Sequence, residues 1–213
     1  MTLAERIASV RARIARAAAG RPVELVAVTK THPPEVVRAA HTAGLSAFGE
    51  NYVQEWAQKR EALAGLDIAW HFIGHLQKNK AKDVVGRVAL IHGVDNLALA
   101  QALDRRAAEA QDILVEVNVG GEASKAGVAP PELAALLRDL RALDKVRCRG
   151  LMCIPPPGRG RPGFRALAAL AREHGLAELS MGMSEDFEEA IEEGATIVRV
   201  GSALFGPRPA APR

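Results

Sequence analysis

A single-domain (β/α)8 barrel with one extra N-terminal helix is the fold this sequence predicts, and three observations predict it. Eight short β-rich runs alternate with amphipathic helical patterns along the chain. Repeated strand–helix units imply a parallel sheet covered by helices, and eight of them favour closure into a barrel. The 213 residues lie at the small end of the size range for that barrel. An open doubly wound sheet is the alternative, but the first strand–helix turn, VTKTHPPE, lacks the glycine-rich dinucleotide fingerprint.

The elements follow in order. In MTLAERIASVRARIARAAAG the apolar residues Leu3, Ile7, Val10 and Ile14 recur at helical spacing, and Gly20 and Pro22 supply a stop. Glu5 breaks the acid-poor pattern of a transit peptide, so this stretch is read as a surface helix of the domain. The strands are ELVAVT, SAFG, AWHFIG, ALIHGV, DILVEVN, RCRGLM, LAELSM and TIVRVG. Between them run helical patterns such as PEVVRAAHTAG, NLALAQALDRRAAEAQ, PPELAALLRDLRALDK and SEDFEEAIEEG, several opening on Pro, Ser or Asn and closing on Gly. The segment IPPPGRGRPG reads as a loop inside one strand–helix connection, and no domain boundary is visible between residues 1 and 213.

Composition narrows the function. There are 28 Lys plus Arg against 25 Asp plus Glu, a net charge of +3, and the basic residues are dispersed, which argues against nucleic acid as a partner. No apolar run approaches the roughly 20 residues that span a bilayer. Cys148 and Cys153, in CRGLMC, fall on opposite faces of a strand, so they are read as reduced thiols of a cytoplasmic protein. With no evident second domain or long apolar surface, a monomer is expected.

In such barrels the chemistry sits at the C-terminal strand ends. Here those ends carry Lys30, the run Gly49-Glu50-Asn51, Asn118, Ser184 of SMGMS, and Gly201-Ser202. A lysine that closes an apolar strand needs a reason, because desolvation penalises its charge. Three readings stand: an ion pair with a carboxylate such as Glu50, an anion-binding donor, or an amine nucleophile that forms a Schiff base. Gly201-Ser202, opening a short final helix, and Ser184, read as an N-cap, suit a phosphate after strands 7 and 8. Glu185 and Asp186 count against an anion unless they point outward. A lysine with a phosphate pocket suggests a sugar phosphate, as in an aldolase, or pyridoxal 5′-phosphate (PLP). Arg199, two residues before Gly201 and on the same face, favours PLP, whose ring nitrogen is met by Asp or Arg in its sites. A structural ion pair is the alternative for Arg199.

The motifs AVTKTHP, FGENYVQE, WHFIGHLQKNKAK, VNVGGEASKAGV, GLMCIP, LSMGMSEDFEEAI and TIVRVGSALFG occur together and in order. The chain thereby resembles the PLP homeostasis proteins, the YggS/PROSC family, over about residues 3–206. That resemblance implies a barrel similar to the N-terminal domain of alanine racemase and a protein that holds or delivers PLP without established catalysis. It implies Lys30 as the Schiff-base residue, Ser184, Gly201 and Ser202 at the phosphate, Arg199 at the ring nitrogen and Asn51 lining the pocket. It also implies PLP-requiring apo-enzymes as recipients. The connection over 155–163 is shorter than the family's, and the tail PRPAAPR lacks its common ending.

Other residues are read without chemistry. His71 and His75 are four apart but belong to a strand ending at Gly74, not to a metal-binding helix face. Lys78 and Lys82 align on a helix as a solvated face, and Glu122 and Lys125 pair within a rim loop. A PLP-dependent racemase is the enzymatic alternative; it needs a second acid/base group, for which Tyr52 is the only tyrosine. A Schiff-base aldolase and a pure interaction module complete the alternatives.

Overall fold

In the computed structural model, which describes residues 1–122 and 125–207, parallel pairing runs in chain order around a closed barrel. The strands are β1 (Glu24–Val28), β2 (Ala47–Glu50), β3 (Ala69–Phe72), β4 (Leu90–Val94), β5 (Gln111–Glu116), β6 (Val146–Met152), β7 (Glu178–Ser180) and β8 (Ile197–Val200). Closure is made by β8 on β1, with Glu24 opposite Ile197 and Val26 opposite Arg199.

Strand alternation sorts the side chains into two cores. Val26, Ala47, Leu90, Leu114, Met152 and Ile197 pack together inside the barrel. Their neighbours Ala27, Phe48, Ile91, Ile113, Leu151 and Val198 belong to the outer core under the helices. On β8 this parity makes Arg199 an inward residue, as the sequence predicts.

The helical layer comprises α1 (Leu3–Ala18), α2 (Pro34–Thr42), α3 (Val53–Ala62), α4 (Ala81–Val84), α5 (Leu97–Asp104), α6 (Leu133–Leu140), α7 (Gly160–Glu173), α8 (Phe187–Glu192) and α9 (Ser202–Phe205). The extra helix α1 opens on a capping box in which the Thr2 hydroxyl accepts the Glu5 N–H and Glu5 accepts the Thr2 N–H. It buries Ile7, Val10 and Ile14. Pro34 starts α2, and Asn96 caps α5 through the Leu99 N–H.

Four expectations need correction. Lys78 lies in a 3-10 turn, Lys78–Lys80, and Lys82 in α4, so the two do not share one helix face. The pattern over 96–111 forms a helix only to Asp104. The segment read as a loop over 154–163 already enters α7 at Gly160; Pro162 fits because first-turn N–H groups lack intrahelical partners. Finally, the β5–β6 register shifts between Ile113/Cys148 and Leu114/Gly150. That irregularity breaks the alternation used to set Cys148 and Cys153 on opposite faces, and both join the outer core. Both cysteines are free, and burial raises Cys148 to about 11 and Cys153 to about 12. The divergent tail falls, beyond Pro207, outside the described residues.

One close approach is testable. A Cβ on Gly150 would come within 1.9 Å of the Glu178 carbonyl oxygen, a backbone atom that cannot swing aside. Gly150→Ala is therefore expected to lose about 1–3 kcal/mol of stability, as overpacking does. Urea unfolding of the variant beside the parent measures it; equal midpoints would refute the contact.

Candidate functional site

The ends of β1, β2, β3, β6, β7 and β8 border one mouth. A cavity of about 300 Å³ opens there, and its wall includes Lys30, Asn51, Ser184, Arg199, Gly201 and Ser202. All six residues singled out from the sequence thus meet at one place. A larger hollow, about 400 Å³, lies at the opposite end of the barrel by Arg11, Arg21 and Glu24, and its wall includes none of them.

Lys30 follows β1 after Thr29 and is half-buried, not buried as a strand-end residue would suggest. The carboxylate offered to it by the sequence, Glu50, has another partner: Lys59 of α3 donates to Glu50 Oε1 at 2.6 Å. Asn51 lies against Gly74, where a Cβ would come within 2.2 Å of the Asn51 carbonyl oxygen, so only glycine leaves room. Asn51 borders the cavity, and its side-chain Oδ1 is buried with no hydrogen-bond partner.

Ser184 is not the cap of α8. That helix starts at Phe187 with Asp186 in the cap position, because residues 184–186 form a turn. The Ser184 hydroxyl instead accepts the N–H groups of Gly201 and Ala203 at 3.2 and 3.1 Å, tying the turn after β7 to the start of α9. A Cβ on Gly201 would meet only ordinary contacts, 3.4 Å and more, with Val28. Protein packing therefore does not demand glycine there, whereas close approach of a ligand would. Glu185 and Asp186 do border the cavity; Asp186 Oδ1 accepts the Met183 N–H at 2.7 Å, and Glu185 is exposed.

Beneath the cavity the barrel interior is polar, which the sequence reading missed. Arg199, 4% exposed, donates to Ser180 Oγ at 2.6 Å and to the Cys153 carbonyl at 3.0 Å. Arginine only donates, so Ser180 Oγ accepts from Arg199, and it stands 2.8 Å from His92 Nδ1. His92 Nε2 and His71 Nδ1 stand 3.0 Å apart and share one hydrogen bond. Glu24 Oε1 stands 3.7 Å beyond, from His71 Nε2. His92 and His71 were discoverable by the logic used for Arg199: each is a polar residue inside an apolar strand. Burial, with His71 and Arg199 adding to it, holds His92 well below the usual imidazole range. Burial alone takes His71 down to about 4. Burial also lowers Arg199, against the pull of Cys153, Glu116 and Asp186. Burial raises Glu116, helped by Asp95 and opposed by Arg199 and His75.

The arrangement brings an amine, a guanidinium and two hydroxyls to the wall of one small cavity. It suits a phosphorylated carbonyl compound. Tyr52, the candidate for the second acid/base group a racemase needs, is 59% exposed and lies outside the cavity wall. Glu122 and Lys125 pair at 2.6 Å. No cluster of three or more His, Cys, Asp or Glu able to hold a metal occurs among the described residues, and no helix there is long and apolar enough to cross a membrane.

The buried imidazole fixes a pH response. His71 in the unfolded chain takes up a proton near 6.5, but in the fold only near 4, so the unfolded state binds more protons between these values. Stability present above pH 6.5 is thus lost as pH falls, by about 3 kcal/mol at roughly 1.4 kcal/mol per pH unit. Urea unfolding from pH 7 to 4 should show a steeper loss for the parent than for His71→Gln; parallel curves would contradict it.

Comparison with known proteins agrees with this geometry. The family model described as alanine racemase, N-terminal domain, matches residues 4–209. The pyridoxal phosphate homeostasis protein of Aquifex aeolicus is 49% identical over 98% of this chain and 99% of its own. That of Escherichia coli K12 is 39% identical, with 97% of each chain covered. The structure of PipY from Synechococcus elongatus with PLP bound is 40% identical, with a TM-score of 0.86 over 96% of this chain and 100% of that one. Alanine racemase from Corynebacterium glutamicum, 22% identical with a TM-score of 0.74, shares the fold over 96% of this chain and 61% of that one. The chain belongs to the alanine racemase N-terminal domain family and, within it, to the pyridoxal phosphate homeostasis proteins.

Proposed function

We propose that this protein binds PLP and serves intracellular PLP homeostasis as a holder of the cofactor, not as an enzyme. The observation that carries the reading is one cavity walled by Lys30, Arg199 and the Ser184–Gly201–Ser202 cluster. PipY, whose structure is described with PLP bound, supports it. When bound, the group supplies an aldehyde carbon that an amine can join with loss of water. Lys30 is the residue for that link. Ser184, Gly201 and Ser202 would hold the phosphate, where two serine hydroxyls and a glycine unneeded for packing suit an anion. Asn51, with its unpartnered oxygen, would line the pocket.

Arg199 would face the ring nitrogen. A guanidinium only donates, so it keeps that nitrogen unprotonated and the ring a weak electron sink. That chemistry suits storage better than racemisation. In the same reading one domain spans residues 1–213 with its core at about 3–206. The protein works as a cytoplasmic monomer and passes PLP to apo-enzymes that require it.

The test is a near-visible absorption spectrum of the PLP-loaded protein beside its Lys30→Ala variant. A yellow parent whose band is lost in the variant, with borohydride fixing the label on Lys30, is the expected result. A colourless parent that traps a sugar phosphate would favour the aldolase instead. Amino acids incubated with the loaded protein in deuterated water should keep their α-protons. Clear turnover would return the racemase reading.

A further inference from the structure

Lys59 lies outside the cavity wall and is 2% exposed. Its ammonium has three donors, and all three are used: on the Thr29 carbonyl at 2.6 Å, Glu50 Oε1 at 2.6 Å and Glu55 Oε1 at 2.7 Å. The same two carboxylate oxygens reach back to the segment around Lys30. Glu50 Oε1 accepts the Thr29 hydroxyl at 2.7 Å, and Glu55 Oε1 accepts the Thr31 N–H at 2.5 Å. The residues immediately before and after Lys30 are therefore both fastened to one buried ammonium and its counter-ions.

Two features give this cluster a purpose beyond stability. A buried ion pair is weak as a stabiliser, since apolar residues of similar volume often do as well or better. Here Glu50 is wholly buried, its Oε2 has no partner, and burial raises it despite Lys59 and Thr29. The second feature is Thr31, a β-branched residue at φ +68°, a left-handed conformation that persists only where its surroundings impose it. The Glu55 contact to its N–H is such an imposition.

We propose that Lys59, together with Glu50 and Glu55, is a positioning device for Lys30. It holds residues 29–31 in the one backbone path that aims the Lys30 amine at a carbonyl carbon in the cavity. The inference rests on the reading of Lys30 as the covalent residue. The step it serves is addition of the unprotonated Lys30 Nζ to the aldehyde carbon. A C=N bond forms, and both amine hydrogens leave with the carbonyl oxygen as water. Misplacement by about 1 Å costs such a step on the order of a hundredfold.

The experiment uses two ligands on the full chain: pyridoxal 5′-phosphate, and pyridoxine 5′-phosphate, whose alcohol cannot form the link. Lys59→Met combined with Glu50→Gln removes the clamp without stranding a buried carboxylate. Glu55→Ala, at a partly exposed position, is the second variant and decides alone if the first does not fold. The expected result is that C=N formation followed by absorbance slows about 10–100-fold, while affinity for the alcohol stays within about twofold. Formation at the parent rate would overturn the inference, and so would an equal loss for both ligands, which marks mere support of the fold. Failure of the parent itself to form the link at Lys30 would instead sink the PLP reading, and this inference with it.

Discussion

The pairing of β8 on β1 is the constraint from which the site follows. Only closure makes the first and last strands neighbours, and the register that sets Val26 opposite Arg199 fixes where their ends stand. Because side chains alternate along a strand, that one register turns Arg199 and Gly201 inward on the same face. Lys30, two residues past the end of β1, then shares a cavity with a turn and a helix start more than 150 residues away in the chain. A slip of one residue would exchange inner and outer faces together, sending Arg199 into the apolar layer beneath the helices.

The interior of this small barrel is not uniformly apolar, and its two polar systems solve desolvation differently. Under Arg199 the partners are Ser180, His92 and His71, with burial keeping both imidazoles neutral at ordinary pH. A neutral chain satisfies the donors of a buried guanidinium without adding a second full charge to desolvate. Under Lys30 the solution is ionic: one ammonium shared by two carboxylates. The first system leaves the arginine's charge available to a ligand, and the second spends its charges on the backbone.

Much of this was legible in the sequence for a definite reason. Strand and helix periods, and the polar residues that interrupt them, are local signals. They suffice to order eight strand–helix units and to bring Lys30, Asn51, Ser184, Arg199, Gly201 and Ser202 to one rim. What was not legible depends on long-range partners. Glu50 was visible as a candidate counter-ion for Lys30, yet its partner Lys59 is set by how α3 docks on β2. The i to i+4 spacing of Glu55 and Lys59 was there to see, but most such pairs are exposed and carry little. Ser184 looked like a cap because Ser before an acidic helical run usually is one. Its actual partners are N–H groups of a different helix.

The openness of the mouth bears on what kind of PLP protein this is. A catalyst that stabilises charge on a cofactor gains by closing over it, because excluding water strengthens each electrostatic contact. Here Ile154 and Met183, both in the cavity wall, are 43% and 41% exposed. These two side chains leave the rim apolar and solvent-exposed at once. On the proposed reading, a C=N link at Lys30 would lie within reach of water and so be reversible, which is what a holder needs. The strength of retention would then fall to the groups that do not react, Arg199 and the residues proposed to hold the phosphate.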